Sequence, residues 1–285
     1  MATQFVVQID GVDEAYAENA AQQCFERIDE LEAKLSRFIP DSDVSRINRM
    51  KEGDNLLLDY ETYACLKQAI EISTWTGGAF DVGVAEWMNI FRGYKQGLLN
   101  ISEYNNALKT AFEEKQQASI YVDPDENRIY CIKPGMKIDL GGIGKGFALD
   151  QLGILLSELG IENYALNSGD STISVKGGPT DNTSWDFKIA DGEAYQNLQL
   201  NDTAVSASGT YWQGNHIFDP RTGTNRKDVS FGRVWVCCHS AAYSDALSTA
   251  LFLLNEEEVS QLSSDLEVIS WVAYSTDEQL HILRK

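Results

Sequence analysis

The residue spacing with the clearest chemical meaning lies at residues 244–249. Asp245 and Thr249 are four residues apart, so a helix places both oxygen-bearing side chains on one face. A carboxylate and a hydroxyl, completed by backbone carbonyls and water, suit Mg²⁺ rather than Zn²⁺. The same residues also fit a helix start, with Ser244 or Asp245 as the N-cap and Thr249 bonding back to a carbonyl. Taken alone, the segment favours this second interpretation.

A glycine-rich segment is the second feature. Five glycines lie between Gly135 and Gly146, where a strand-like stretch leads into a helix-like one. Without Cβ atoms, backbone N–H groups and a helix N-terminus can approach an anion closely. The segment is not a Walker loop, because Gly146 stands at the Ser/Thr position, and not a Rossmann fingerprint, because Phe147 stands where glycine is needed. Two interpretations of the segment are favoured equally: contact with an anion or nucleotide, and a tight turn that lets a helix and a strand pack closely.

Residues 216–223 form the third feature and read His-Ile-Phe-Asp-Pro-Arg-Thr-Gly. Asp219 can hold a turn through an Asx-type bond, and Arg221 can brace a carboxylate or a phosphate. His216 is one of three histidines and has the chemistry of a general base. A β-turn beside a half-buried histidine explains the same residues, and for a lone histidine that interpretation is favoured.

Hydrophobic periodicity predicts the elements that must position these residues. Helices are predicted over residues 14–37, 59–74, 102–112, from the glycine segment to 159, and 244–254. Strands are predicted over residues 5–9, 120–122, 129–132, 136–140, 164–166, 172–175, 185–189, 204–207, 216–218, 234–238, 268–274 and 280–283. Strands and helices do not alternate strictly, so the pattern indicates an α+β (mixed α/β) fold rather than a doubly wound parallel sheet. No linker or repeat divides the chain, so residues 1–285 are expected to form one domain.

Composition excludes several classes of protein. The chain has 285 residues and a formal net charge of −20, which argues against partners that need a basic face, namely nucleic acid and anionic lipid. No run reaches the roughly 20 apolar residues of a membrane span, and no signal peptide is recognised. Five scattered cysteines are no disulfide framework, and Cys237 and Cys238 are expected in the core. We expect a cytoplasmic protein, or an exported one if a signal segment has been removed.

Taken together and in order, these segments resemble the ApbE family, the FAD:protein FMN transferases. The motifs are Ser-x-x-x-Pro-x-Ser-x-x-Ser-x-x-Asn at 36–48, Gly-x-Phe-Asp at 78–81, Asp-Leu-Gly-Gly-Ile-x-Lys-Gly at 139–146, Asn-x-Gly at 167–169, Ser-Gly at 208–209, His-Ile-x-Asp-Pro-Arg-Thr-Gly at 216–223 and Asp-Ala-Leu-x-Thr-Ala at 245–250. Each motif alone is modest evidence, but seven motifs in the same order, covering nearly the whole chain, are strong evidence. The resemblance implies an ApbE-like fold with mixed β-sheets flanked by helices.

The resemblance also implies a reaction. The enzyme would bind FAD and Mg²⁺, break the diphosphate, and move FMN to a Thr or Ser hydroxyl of an acceptor flavoprotein, releasing AMP. Two alternatives are a metal-dependent FAD diphosphatase that gives FMN and AMP, and a non-catalytic FAD-binding protein. The candidate acceptor carries a Thr/Ser flavinylation site, and neither nucleic acid nor a membrane span is expected.

Residue roles follow from the motif positions. Asp245 and Thr249 match the family's metal-binding positions, and a backbone carbonyl of Gly142 or Gly144 joins them. His216 matches the histidine thought to take the proton of the acceptor hydroxyl. The positions expected to contact FAD are Asn48, Gly141, Gly142, Lys145, Ser208, Gly209 and Arg221. Of these, Lys145 and Arg221 either contact phosphate or are structural, while Asp139 and Asp219 are expected to shape the loops.

The chain departs from the family pattern at four places. Gly144 stands where the family usually has alanine, Asp170 replaces the second glycine of Asn-x-Gly-Gly, and Thr210 replaces the aspartate of Ser-Gly-Asp. The segment Phe38-Ile39-Pro40 lacks the arginine of a Tyr-Arg-Pro-like sequence. These changes lie near the expected FAD pocket, whereas the metal pair and His216 are intact.

Overall fold

The structure is a computed structural model that describes residues 3–179, 182–209, 217–225, 231–276 and 279–284. Within these residues the chain forms eight helices and fourteen strands, which confirms the α+β prediction. The chain divides into two compact units. The first comprises Met1–Leu31, Gly142–Trp212 and Asp228–Lys285, and the second comprises Glu32–Gly141 and Gln213–Lys227.

The elements follow one another without strict alternation. In chain order they are β1 (Phe5–Asp10), α1 (Glu14–Leu35), α2 (Asp43–Ile47), β2 (Asn55–Leu57), α3 (Tyr60–Trp75), α4 (Ala85–Lys95), α5 (Ile101–Gln117), β3 (Ser119–Val122), β4 (Arg128–Lys133), α6 (Gly144–Glu158), β5 (Asn163–Ser168), β6 (Thr172–Lys176), β7 (Trp185–Asp191), β8 (Ala194–Leu200), β9 (Thr203–Gly209), β10 (Phe218–Asp219), β11 (Thr224–Asn225), β12 (Arg233–Cys238), α7 (Ala241–Phe252), α8 (Glu256–Asp265), β13 (Ile269–Thr276) and β14 (Gln279–Arg284). None of the helices in the described ranges is both long enough and apolar enough to cross a membrane.

The first unit is built on a seven-stranded antiparallel sheet in the order β1-β5-β6-β9-β12-β13-β14. On one face, α1, α6 and α7 pack against the sheet around Leu149 and Leu166. On the other face, the β7–β8 hairpin brings Trp185 beside Val205. Because successive strand residues point to opposite faces, β5 supplies Leu166 to the first cluster and Ala165 to the second. The first face therefore carries α6 and α7, the helices that hold the predicted metal residues.

The second unit combines α2 to α5 with the antiparallel sheet β2-β4-β3 and the short β10–β11 pair. Its aromatic core places the Trp87 ring 6.2 Å from the rings of both Phe112 and Phe218. Phe218 precedes the turn at residues 219–223, so this core fixes the point from which the turn projects.

The predicted strand over residues 136–140 is wrong. The segment is a loop, and its backbone groups bond outside any sheet ladder. Ala85 donates its backbone N–H to Lys137 O at 3.0 Å. The amide side chain of Asn48 both accepts from Ile138 N, at 2.7 Å, and donates to Ile138 O, at 2.9 Å. An asparagine side chain thus takes the place that a neighbouring strand would occupy.

The predicted start of the last long helix of the first unit is also wrong. α7 begins at Ala241, and Ser240 is its N-cap, because the Ser240 hydroxyl accepts from Tyr243 N at 3.3 Å. Ser244 instead donates its hydroxyl to Val236 O at 2.7 Å. Ser244 and Asp245 therefore lie inside the helix, and the capping interpretation of these two residues fails.

Candidate functional site

In the first unit, α6 and α7 touch backbone to backbone at Gly146. A Cβ placed on Gly146 would lie 2.1 Å from Ala241 O and 2.8 Å from the Ala242 Cα, closer than real Cβ atoms approach. Only glycine lets the two helices meet at this distance. The glycine-rich segment thus serves close packing, and it sets the first turn of α6 against the first turns of α7.

Asp245 points from α7 to the first turn of α6. Its side chain is 6% exposed, and its carboxylate oxygens lie 3.1 and 3.2 Å from the Lys145 ammonium. It also accepts a hydrogen bond from Gly146 N at 3.1 Å. A negative charge at a helix N-terminus and beside an ammonium group is stabilised by both, and these contacts explain how the carboxylate is held although it is buried.

Thr249 lies one turn after Asp245 on α7, as its spacing predicts. Its hydroxyl lies 3.1 Å from the hydroxyl of Ser208 on β9 and bonds back to Asp245 O at 3.4 Å. Ser208 also contacts the hydroxyl of Ser248 at 3.0 Å. We call Lys145, Gly146, Ser208, Asp245 and Thr249 the α6–α7 cluster. Its carboxylate and hydroxyl oxygens are the donor types that a hard cation such as Mg²⁺ prefers.

Asp150 joins the same two helices one turn further along α6, and the sequence patterns did not single it out. Its carboxylate accepts three hydrogen bonds, from Ser240 Oγ at 2.6 Å, Ala241 N at 2.7 Å and Ala242 N at 3.0 Å. Burial raises the pKa of Asp150 above its ordinary value, although the three donors oppose this shift. The sequence contained one hint: Asp150 is a charged residue within the apolar stretch Phe147–Leu156 of α6.

The loop that leads into α6 is shaped by Asp139, as predicted. Its carboxylate accepts from Gly141 N at 2.8 Å and from Arg37 Nε at 2.5 Å. Gly144 is buried at the start of α6, whereas Gly142 is partly exposed. Roles for Gly141, Gly142 and Gly144 in binding FAD or metal stay predictions.

Other predicted FAD contacts lie in different surroundings. Asn48, in the second unit, uses its side-chain amide to hold Ile138. Gly209 ends β9 opposite Arg233 of β12, and a Cβ there would lie 2.8 Å from Gly232 O. Contact of Asn48 and Gly209 with FAD stays a prediction.

The Asp219 turn, residues 219–223 of the second unit, is held by its own side chains. Asp219 accepts from Arg221 N at 2.9 Å, which is the predicted Asx-type bond, and it binds the guanidinium through two further bonds of 2.9 and 2.8 Å. Gly223 has a φ of +69°, and a Cβ there would lie 2.5 Å from the Phe112 ring. His216, the predicted base, lies outside the described residues.

Asp170 occupies the place of the second glycine in the Asn-x-Gly-Gly motif. It keeps a left-handed φ of +53°, and its backbone N–H donates to Asn167 Oδ1 at 3.1 Å. Aspartate tolerates this conformation better than most residues, so the backbone of this turn does not require a second glycine.

Comparison with known proteins identifies related sequences. The chain matches the ApbE family model over residues 1–270. The FAD:protein FMN transferase of Chlamydia trachomatis is 27% identical over an alignment of 291 residues, which covers 94% of this chain and 86% of that protein. The FAD:protein FMN transferase of Vibrio cholerae is 27% identical over 270 residues, which covers 88% and 78% of the two chains.

Solved structures share the fold. The flavin transferase ApbE of Vibrio cholerae superposes with a TM-score of 0.82 at 23% identity, covering 100% of this chain and 94% of that one. The apo form of the Pseudomonas stutzeri flavinyl transferase ApbE gives a TM-score of 0.82 at 23% identity, with coverages of 98% and 90%.

Proposed function

Because this chain belongs to the ApbE family, we propose that it is a Mg²⁺-dependent FAD:protein FMN transferase. It would move FMN from FAD to a Thr or Ser hydroxyl of an acceptor flavoprotein and release AMP. Family membership establishes the coarser statement, that the chain is an enzyme of the flavin transferase kind. The observation that carries the finer proposal is the α6–α7 cluster, in which Lys145 meets Asp245 across 100 residues of sequence.

The donor set of the cluster fits the metal. Asp245 and Thr249 would hold Mg²⁺ through a carboxylate and a hydroxyl oxygen, and the carbonyls of Gly142 or Gly144 would add further oxygens. When bound, Mg²⁺ neutralises the diphosphate of FAD and the charge that develops as it breaks. Lys145 already gives the Asp245 carboxylate one positive neighbour, so a metal ion would share this carboxylate with an ammonium group.

The remaining chemistry belongs to groups of the chain. His216 would take the proton of the acceptor hydroxyl while that oxygen bonds to the phosphorus of the FMN half. The bond from this phosphorus to the AMP phosphate breaks, and AMP leaves. Asn48, Ser208 and Gly209, with the N–H groups of Gly141 and Gly142, would hold FAD. Lys145 and Arg221 would contact phosphate or brace the site.

One incubation separates the three candidate activities. The protein is mixed with FAD and Mg²⁺, with and without a flavoprotein that carries a Thr/Ser flavinylation site. AMP release together with in-gel flavin fluorescence on the acceptor supports transfer. AMP and free FMN without an acceptor indicate a diphosphatase, and tight FAD binding with neither product indicates a binding protein.

His216→Ala tests the assignment of the base. Because a general base acts on the acceptor hydroxyl, transfer should slow by about 100-fold or more, while FAD binding changes little. Single-turnover transfer rates and FAD affinity by fluorescence titration measure the two quantities. Equal losses in both would contradict a role as base.

Two further expectations stay predictions. One is that residues 1–285 form a single domain, and the other is that the protein is cytoplasmic or, alternatively, exported.

A further inference from the structure

We propose that Asp150 is a positioning residue, whose carboxylate sets the register of α7 against α6 and thereby presents Asp245 and Thr249 to the first turn of α6. This inference rests on the proposed function, because it concerns how the residues assigned to the metal are held. The side chain of Asp150 bonds to residues 240–242 and, within the described part of the chain, forms no hydrogen bond with Asp245 or Thr249.

The Asp150 carboxylate binds the first backbone N–H groups of α7. The first N–H groups of a helix have no partner within the helix. In α7 two of them, on Ala241 and Ala242, are bound by Asp150 from another helix, at 2.7 and 3.0 Å. The N-cap Ser240 also donates its hydroxyl to Asp150, at 2.6 Å. The start of α7 is thus anchored to one side chain of α6.

The second line of support is the spacing along both helices. Gly146 and Asp150 are four residues apart on α6, so they lie on one face. Gly146 meets Ala241 by backbone packing and meets Asp245 through its N–H. Asp150 meets residues 240–242. These contacts at successive turns restrict both sliding and rotation of α7.

The rigidity of the helix carries this restraint to the cluster. Asp245 follows Ala241 by about 6 Å along the axis and Thr249 follows by about 12 Å, at 1.5 Å per residue. A shift at the start of α7 therefore moves both oxygen donors together. The third candidate donor group, on Gly142 or Gly144, belongs to the other side of the contact and would not move with them.

Both carboxylate oxygens of Asp150 are needed for this arrangement. Oδ1 accepts from Ala241 N, and Oδ2 accepts from Ser240 Oγ and Ala242 N. An asparagine has the same size but only one acceptor oxygen, and its NH₂ group would face a donor. Asp150→Asn should therefore release one side of the anchor without creating a cavity.

The experiment measures binding of Mn²⁺ alone to the full chain, by the EPR signal of free Mn²⁺, so that it does not depend on activity. Replacing residues that orient metal ligands typically weakens metal affinity by about 10-fold or more, and we expect this for Asp150→Asn. Ser240→Ala removes one of the three bonds to Asp150, together with the N-cap bond to Tyr243 N, and should weaken Mn²⁺ binding by a smaller factor. At saturating metal, kcat should fall while the KM for FAD stays unchanged.

Asp191→Asn is the matched control. Asp191 is a partly buried carboxylate of the same unit that accepts from Ser275 Oγ at 2.5 Å and ties the β7–β8 hairpin to β13. Its loss should lower the melting temperature, but Mn²⁺ affinity should stay within about twofold, because the hairpin lies on the other face of the sheet from α6 and α7.

Each outcome decides the question. Loss of melting temperature in Asp150→Asn with unchanged Mn²⁺ affinity would overturn the positioning role. If near-UV circular dichroism shows that this variant does not fold, the Ser240→Ala result decides in its place. If the wild-type chain binds no Mn²⁺, the proposed metal site fails, and the inference about Asp150 fails with it. That result differs from binding that is equal in wild type and variant.

Discussion

Two aspartates with cationic partners lie in different parts of the molecule, and their surroundings differ. In the α6–α7 cluster, Asp245 pairs with Lys145, 100 residues earlier in the chain. In the Asp219 turn, Asp219 pairs with Arg221, only two residues later. The second pair forms as soon as the local turn forms, whereas the first exists only when α6 and α7 have packed. The cluster is thus a product of the tertiary fold, and the turn is a product of local sequence.

The two aspartates also differ in how readily their carboxylate oxygens could bind a metal ion. Both oxygens of Asp219 bind the guanidinium of Arg221, and one of them also binds the Arg221 N–H. Asp245 instead receives one backbone N–H and the ammonium group of Lys145. A lysine gives way to a cation more easily than a two-pronged arginine fork, because it is a compact charge on a flexible stem. The comparison therefore favours Asp245 over Asp219 as a metal ligand.

The largest effect is expected from a substitution of Asp245, the central residue of the α6–α7 cluster. Asp245→Asn keeps the size of the side chain and an acceptor for Gly146 N, but it removes the charge. If Asp245 holds Mg²⁺, AMP release from FAD should fall by about 1000-fold, since a bound metal supplies several kcal/mol of transition-state stabilisation. The matched Asp219→Asn should cost less than about tenfold, the value of a modest ion pair. Normal Mg²⁺-dependent turnover by Asp245→Asn would show that the metal assignment is wrong.

The second effect tests whether the cluster depends on the close approach of the helices. Gly146→Ala forces a Cβ against the Ala241 backbone, so the unfolding free energy should fall by about 1–3 kcal/mol. Gly93→Ala in α4 is the control, because its Cβ would meet only Leu99, at 3.7 Å. That change should raise the unfolding free energy by up to about 1 kcal/mol, the helix propensity difference. Urea denaturation measures both, and the same sign in both variants would contradict the packing argument.

The same contrast between local and tertiary contacts explains what the sequence could predict. The helical spacing of Asp245 and Thr249, the Asx bond of Asp219 and the helix that follows the glycine segment all depend on neighbours within a few residues. Each of these features is present in the structure. Local spacing is sufficient where the partner is close in sequence.

The predictions that failed concern residues whose hydrogen-bond partners are distant in the sequence. Residues 136–140 have the composition of a strand, but Asn48, 90 residues before Ile138, takes the place of a neighbouring strand. The N-cap of α7 is Ser240, and its anchor Asp150 lies 90 residues earlier. No spacing rule within a helix connects such residues. The patterns also missed α2 and β2, whose five and three residues give periodicity too little to act on. They missed three longer elements as well, α4, α8 and β8.

A smaller effect is expected from a substitution of Arg221, which tests whether this residue only braces the Asp219 turn. Arg221→Gln removes the fork to Asp219, and the unfolding free energy should fall by about 1 kcal/mol or less, as for a partly exposed ion pair. If Arg221 only braces the turn, the KM for FAD should stay within about twofold. A KM that rises by tenfold or more without further loss of stability would indicate contact with phosphate. Arg128→Gln is the control, since Arg128 also pairs with a carboxylate two residues away, Glu126.

The smallest effect is the contribution of Asp150 to the pH dependence of the unfolding free energy. Burial raises the pKa of Asp150 above the ordinary value of 3.8, so the folded protein keeps this proton to a higher pH than the unfolded chain does. Between the two values the folded state binds more protons, and the unfolding free energy falls as pH rises. The contribution is complete below pH 3.8 and is lost once the pH passes the raised value of the folded state.

Comparison with Asp150→Asn isolates this contribution, because the other carboxylates titrate in both proteins and cancel. The stability advantage of wild type over Asp150→Asn should be largest in acid and should shrink as the pH rises through that window. Urea denaturation of both proteins at a series of pH values measures the difference. An advantage that grows with pH would mean that the three donors outweigh burial and hold the pKa of Asp150 below its ordinary value. With either sign of the pH dependence, the three bonds to α7 are accepted by the ionised carboxylate, because a protonated Asp150 would place an O–H donor against groups that donate to it.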